Sequence, residues 1–360
     1  MAKHAKTGVW QKEKMKIIIT GGAGMVGAHA AEYFAGKGCS VLVYDNLMRS
    51  KIFDVDRKSV EFNWNYLRKF RNVIRVKADI RNRQKLQKVF GAFKPDAVIH
   101  AAGQPGVGFS LKVPLEDASI NAVGTLNVVE AFREVNSRGT LIYCSTNKVY
   151  GDNVNDYPIA RKKTRYVFRS IEGISESCSI DHCGHTPYGI SKLAGDLYVQ
   201  DAAYCSDLRT GVFRMSCIYG TRQFGFEDQG WIAWFAIRFM QGKPLTVYGD
   251  GKQVRDVLWV GDLVRAFDSF LTGRTGSGVF NMGGGPANTL SLLELISLLQ
   301  EITGRSVKVR FDKWRKFDQK IYVSDIAKAQ RTLRWSPLLS PREGVGRVVA
   351  WVNENAALFR

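Results

Sequence analysis

Cysteine is scarce. The six in 360 residues, at positions 39, 144, 178, 183, 205 and 217, follow no regular spacing. That excludes a disulfide-built scaffold, and a chain of this length needs no cross-links, so reduced thiols are expected. No apolar run reaches the ~20 residues that cross a bilayer. Residues 1–15 are basic but lack the apolar centre of a secretion signal. The expectation is a cytoplasmic protein with no membrane partner. No internal repeat is visible, which excludes repeat architectures. Acidic residues are in deficit, 33 against 52 Lys and Arg, leaving a net charge of +19. The surplus clusters over residues 3–16, 68–88, 161–169 and 305–320. These clusters are dispersed and contain no nucleic-acid motif. A solvated basic surface is therefore favoured over a nucleic-acid partner, with part of the charge serving a phosphorylated ligand.

With 45% hydrophobic and 24% charged residues, the chain is globular and ordered. Its length exceeds the usual size of one core, so it forms two lobes or one large α/β unit. Residues 1–14 read as a basic, flexible tail. Residues 16–20 (KIIIT) are a β-branched run, as in a buried parallel strand. They lead into Gly21, Gly24 and Gly27, followed by a helix pattern to about residue 37. Gly21 permits a tight turn, Gly24 lets a pyrophosphate approach the backbone, and Gly27 lets helix and strand pack closely. The helix N-terminus, with Met25 and Val26, offers free N–H groups to phosphates. A second strand over residues 40–44 ends at Asp45, followed by Asn46. A carboxylate there accepts from adenosine ribose hydroxyls and repels a 2′-phosphate, favouring NAD over NADP. Arg49 nearby would soften that exclusion, and a turn or cap role for Asp45 stays open.

The strand and helix alternation continues. Residues 73–78 form a strand ending at Asp79 and Ile80, placed to meet an adenine. Residues 96–100 form another, followed by Ala101, Ala102, Gly103 and Gln104, whose small members leave room in a cofactor crevice. Asn121 lies on the next helix, as a contact near the site or as a plain polar residue. A strand over residues 140–146 ends in Thr146, whose hydroxyl can bond a substrate hydroxyl, and is followed by Asn147 and Lys148. Residues 152–170 read as a basic loop insertion. Residues 209–216 form a strand, and residues 231–241 a buried helix. Further strands are expected at 245–248, 257–259 and 278–281. An amphipathic helix over 290–304 precedes a final strand and helix.

Tyr188 and Lys192 lie four residues apart, so a helix puts both on one face. An ammonium beside a phenol favours the phenolate, lowering the tyrosine pKa from its ordinary value of about 10. Such a phenol can exchange a hydroxyl proton near neutral pH. Just upstream, Cys178, His182, Cys183 and His185 are residues that suit zinc, but their spacing matches no common zinc module and no second ligand cluster follows. No metal is expected, and His185 reads as a helix-entry or pocket residue.

Taken together, the glycine loop, Asp45, Asp79, Thr146, Tyr188 and Lys192 resemble the extended short-chain dehydrogenases that modify nucleotide sugars. The resemblance spans roughly residues 15–353. Residues 145–151, 164–166, 216–220, 222–225, 228–231, 249–256 and 318–320 are most similar to the branch that epimerises C2 of CDP-linked deoxyhexoses. The resemblance implies an α/β fold, a Rossmann-type doubly wound parallel sheet with a smaller C-terminal α/β substrate lobe. It implies an NAD-binding domain over 15–213, with 254–282 returning to it, and a nucleotide-sugar domain over 214–253 and 283–360. It also implies a homodimer paired through helices, one of them carrying Tyr188 and Lys192.

The mechanism that follows is hydride removal and return at C2 of the sugar. Tyr188 takes the hydroxyl proton, Lys192 holds the nicotinamide ribose, and Thr146 bonds the reacting oxygen. Arg255 and Arg315 are expected to anchor the diphosphate, because guanidinium pairs phosphate in a bidentate fork. Gln104, Asn147, Cys217, Arg222, Gln229 and Asp318 are the further substrate candidates, Cys217 being equally a packing thiol. Related 4,6-dehydratases place Asp-Glu directly after the active-site Thr. Asn147 and Lys148 cannot serve that elimination. A 4-epimerase acting on a UDP- or GDP-hexose stays open, as does a non-catalytic polyanion-binding Rossmann protein. The chain departs from the family pattern at residues 181–187, which run about two residues longer, at Met215, and at Lys316 and Phe317. All three touch the rim of the sugar pocket.

Overall fold

The computed structural model describes residues 14–53 and 57–359. Most of the expected basic tail, residues 1–13, lies outside the described residues. Strands run in chain order as β1 (Lys16–Thr20), β2 (Ser40–Asp45), β3 (Val73–Lys77), β4 (Ala97–His100), β5 (Thr140–Thr146), β6 (Ile159–Arg161), β7 (Tyr166–Phe168) and β8 (Arg209–Met215). They continue as β9 (Cys217–Tyr219), β10 (Leu245–Tyr248), β11 (Val254–Trp259), β12 (Gly278–Met282), β13 (Thr289–Ser291), β14 (Val309–Asp312) and β15 (Ile321–Tyr322).

Seven strands form one sheet in the order β12-β8-β5-β4-β1-β2-β3. Every pairing in it is parallel. The order reverses beside β1, and the crevice at the carboxyl ends of β1 and β4 is where such sheets hold ligands. Ile17, Ile18 and Ile19 of β1 are fully buried because helices cover both faces. Burial of each such side chain is worth roughly 1.5–3 kcal/mol. One face packs on the helices Met25–Gly36 and Val260–Thr272, through Phe34, Leu263, Phe267 and Phe270. The other packs on the helices Arg83–Phe93, Gly124–Val135 and Thr186–Cys205, through Leu86, Phe90, Phe132 and Val199.

The smaller lobe holds β11 paired with β9, β13 and β15, and a separate parallel pair of β10 with β14. Its core gathers Ile232, Phe235 and Phe239 of the helix Trp231–Gln241, Leu295 and Leu299 of the helix Leu292–Thr303, and Val345 and Val348 of the helix Pro341–Glu354. Capping boxes at Ser291 with Glu294, and at Ser340 with Glu343, start the last two helices.

Two expectations need correction. The segment 254–282 divides: β11 pairs within the smaller sheet, while its Leu258, the helix Val260–Thr272 and β12 pack into the central layer. Ala329, Leu333 and Trp335 also pack into the central core, although they fall in the segment expected for the smaller lobe. The basic stretch 152–170 is not a plain loop. Residues in it form the antiparallel hairpin β6-β7, with Tyr166 buried against Val254, Ile321 and Val323. Arg165 fastens the hairpin to Glu294, and the Tyr166 hydroxyl donates to Asp250 at 2.8 Å. Part of the local positive charge is thus spent on internal pairing.

Candidate active site

A cleft of about 510 Å³ runs along the carboxyl ends of the central strands and under the loop before Trp231. Gly21, Gly24, Met25, Val26 and Gly27 line one end. Gly21 has φ +70°, and a Cβ there would stand 2.5 Å from the Ala102 nitrogen. A Cβ on Gly27 would stand 2.3 Å from the Gly21 oxygen. The loop is thereby folded back on its own helix, whose first amides face the cleft. Asp45 closes β2 beside it. One carboxylate oxygen accepts from the Ala23 amide at 2.9 Å and the other from Leu47 at 2.7 Å. A carboxylate oxygen accepts more than one bond, so Asp45 can still take ribose hydroxyls. These residues suit the adenosine and pyrophosphate of NAD.

Asn46, Asp79, Ile80, Ala101, Ala102 and Gly103 also line this end of the cleft. Asp79 is held by Arg81, at 2.8 Å in an ion pair, and by the Asn46 amide at 2.9 Å. Arg49 also lines this end of the cleft, with its guanidinium already engaged. Its guanidinium donates to Gln229 Oε1 at 2.6 Å and to the Phe224 carbonyl at 3.0 Å, beside the paired rings of Phe53 and Phe226.

Tyr188, Lys192 and Thr146 meet at the middle of the cleft. The helix Thr186–Cys205 carries the first two, 8% and 5% exposed, and Thr146 ends β5 at 8%. The pair therefore sits on the buried face of that helix. Lys192 Nζ donates to the Cys144 carbonyl oxygen at 2.8 Å and lies over the Tyr143 ring. Burial lowers its ammonium to about 8. Tyr188 departs from expectation. Burial pushes its phenol up to about 12, the Thr146 hydroxyl beside it works the other way, and Asp117 adds to the rise. The lysine charge is engaged by a carbonyl, and it does not offset the loss of water around the phenol.

The substrate candidates divide. Asn147 and Cys217 line the cleft, the thiol accepting from Trp231 Nε1 at 3.4 Å. Gln104 is at the cleft wall, but its amide donates to Asp117 at 2.6 Å and to the Gly106 carbonyl at 2.9 Å, so it faces inward. Arg222 is likewise turned away, paired with Glu32 at 2.6 Å and stacked on Tyr66. The Gln229 carbonyl oxygen is taken by Arg49. Arg255, Arg315 and Asp318 lie outside the cleft lining. Arg255 pairs with Asp318 at 2.6 Å, and Arg315 with Asp228 at 3.0 Å over the Tyr248 ring. A guanidinium that already has a carboxylate partner is not presented to the cleft. Asn121 is also not at the lining. Its amide clamps the Gln104 backbone at 2.8 and 3.0 Å and reaches Asp117 and Ser191.

Sequence reasoning overlooked Asp117. It is fully buried and gathers Gln104, Asn121 and Ser191, holding the β4 loop to the helix of Tyr188. Its four-residue spacing from Asn121 was the available signal. Among the described residues no three His, Cys, Asp or Glu side chains converge as metal ligands. His185 stands at the entry of the helix Thr186–Cys205, with Nε2 2.9 Å from the Val149 carbonyl.

The model of the NAD dependent epimerase/dehydratase family matches residues 17–283. The CDP-paratose 2-epimerase of Salmonella typhi is 38% identical over 347 residues, covering 94% of this chain and 99% of that protein. The UDP-glucuronate 4-epimerase of Thermodesulfobacterium geofontis is 29% identical, covering 95% of this chain and 98% of that one. The crystal structure of UDP-glucuronic acid 4-epimerase from Bacillus cereus, in complex with UDP-glucuronic acid and NAD, superposes with a TM-score of 0.80 at 25% identity, over 94% of this chain and 99% of that one. By these matches the chain belongs to the NAD-dependent epimerase/dehydratase family and is an NAD-dependent epimerase.

Proposed function

We propose that the enzyme inverts C2 of a CDP-linked deoxyhexose, interconverting CDP-paratose and CDP-tyvelose. The carrying observation is the convergence of Thr146, Tyr188 and Lys192 in one cleft, with Asn147 and Lys148 in the two positions after Thr146. The likeness to CDP-paratose 2-epimerase supports the substrate class. NAD, when bound, supplies a hydride acceptor and then a donor. Tyr188 takes the C2 hydroxyl proton and later returns it. Thr146 bonds the reacting oxygen through both steps. Lys192 holds the nicotinamide ribose. Neither Asn147 nor Lys148 is a carboxylic acid, so the oxidised sugar is kept rather than dehydrated. The diphosphate stays anchored while the sugar turns, with Arg255 and Arg315 as anchors once they exchange their carboxylate partners for phosphate.

The likeness to UDP-sugar 4-epimerases favours a second reading, inversion at C4, in which only the sugar's pose differs. Incubation with CDP-, GDP- and UDP-sugars in deuterated water, read by NMR, separates the two. Inversion at C2 without solvent deuterium is expected. Inversion at C4 alone would reject the 2-epimerase assignment.

The enzyme is further proposed to be a cytoplasmic homodimer. Ile190, Leu197 and Tyr198 leave an exposed apolar strip on the helix of Tyr188, as a helix-paired dimer would need, and no described helix is long and apolar enough to cross a membrane. Sedimentation would report the dimer.

A further inference from the structure

Lys148 stands where two cavities meet. It lines the main cleft two residues after Thr146, and it also lines a side pocket of about 20 Å³. That space admits about one hydroxyl or methyl group. The side pocket is lined by Gly184, His185 and Thr186, by Phe317 and Gln319, and by Asp152. These walls include residues from two of the three places set apart by the sequence, 181–187 and 316–317; the third, Met215, lines only the main cleft. Two of the three thus gather around one ammonium, that of Lys148.

The Lys148 amide donates to Thr146 Oγ1 at 3.3 Å, which ties the residue to the reacting centre. Its Nζ makes one hydrogen bond among the described residues, to Gln319 Oε1 at 3.1 Å. An ammonium carries three donors, so two remain. Burial, and then the positive charge of Arg255, lower it to about 8, so it is still charged at neutral pH. A partly desolvated charge with unused donors is costly unless a ligand supplies acceptors.

We propose that Lys148 is a sugar-binding residue that determines specificity, donating from its ammonium to oxygens of the hexose held at Thr146 and Tyr188, while the side pocket receives one substituent of that sugar. The inference rests on the nucleotide-sugar reading above. Neutral hydroxyls and a transient ketone accept from an ammonium without needing a counter-charge.

Calorimetric binding to the NAD-loaded enzyme tests this, with CDP-glucose, UDP-glucose and GDP-mannose set against CDP, UDP and GDP. Lys148→Met should weaken binding of whichever sugar nucleotide the wild type holds by about tenfold or more, and leave the matching diphosphate unchanged. Lys148→Arg should recover part of the loss. Unchanged sugar-nucleotide binding would overturn the assignment, as would equal weakening of sugar nucleotide and diphosphate, which places the residue at the phosphates or in the fold. Lys148→Gln carries the same comparison if the methionine variant does not fold. If the wild type binds the diphosphates but gains nothing from any sugar, the proposal falls while nucleotide binding stands. If it binds none of the six, the nucleotide-sugar reading itself fails and takes the proposal with it.

Discussion

Lys192 donates from Nζ to the Cys144 carbonyl oxygen at 2.8 Å, and this bond decides where the lysine's charge sits. The carbonyl belongs to β5, two residues before Thr146, so the ammonium is referenced to the strand that carries the reacting hydroxyl. Lys192→Met removes that charge from the floor of the cleft. Turnover should fall about 10²–10⁴-fold, and the purified protein should hold less NAD. Absorbance of nucleotide released on heat denaturation measures the second effect. Full NAD content with normal turnover would remove Lys192 from both roles.

Tyr188→Phe should abolish turnover while leaving NAD bound, since the ring stays and only the proton-carrying oxygen goes. Burial holds the phenol up at about 12 when no cofactor charge is near it. A bound nicotinamide cation favours the phenolate. In difference titrations of the wild type against Tyr188→Phe, the phenolate signal should therefore appear at lower pH with NAD than after its removal. A titration that does not move would show that bound NAD does not tune the phenol.

Arg49 reaches from the helix Arg49–Phe53 to Gln229 and the Phe224 carbonyl, across the cleft mouth. Its guanidinium lies beside two mutually packed aromatic rings, 5.6 and 5.7 Å from their centres. Arg49→Met keeps the apolar stem and breaks both polar bonds. NAD should then dissociate about tenfold faster or more, consistent with the loss of one or two charge-assisted bonds. Gel filtration followed by nucleotide assay reads retention. Wild-type retention would mean that the strap does not guard the cofactor.

His100 is buried between two hydroxyls, with Nδ1 2.6 Å from Thr20 Oγ1 and Nε2 3.0 Å from Thr125 Oγ1. Thr125 donates its own proton to the Asn121 carbonyl, so it accepts from Nε2–H. Burial, and then the charge of Lys192, lower His100 to about 3 from the ordinary 6.5. Between those values the unfolded chain binds one more proton than the folded one, so stability falls as pH drops through that window. From pH 6.5 to 4 the loss from this group should be about 2–3 kcal/mol. Urea unfolding at both pH values measures it. His100→Gln should be less stable at neutral pH but show a flatter acid slope.

Much of the central layer was legible because its signals are local. The isoleucine run of β1, the three glycines and Asp45 lie within 30 residues, and each follows from a short-range rule about buried parallel strands or phosphate loops. Thr146, Tyr188 and Lys192 were legible by type and position at a strand end and on one helix face. The hairpin β6-β7 was not, because its residues pair with a basic turn between them, and its stability comes from Tyr166 and Arg165 reaching a distant lobe.

The polar candidates were the least legible. Gln104, Arg222, Gln229, Arg255 and Arg315 are all residues that bind sugars or phosphates, and nothing in the order of the chain says which acceptor each will meet. In the fold, Glu32, Asp117, Asp228 and Asp318 take four of these side chains, and Arg49 takes the fifth. The sequence by itself determined a parallel α/β sheet, a nucleotide loop and a Thr, Tyr and Lys set. It could do so because backbone geometry and helix periodicity act over a few residues. Only the tertiary structure decided that burial raises Tyr188, that Lys192 rests on Cys144, and that Lys148 occupies the junction of two cavities. Those outcomes depend on desolvation and on partners 48 to 171 residues away, which no local pattern encodes.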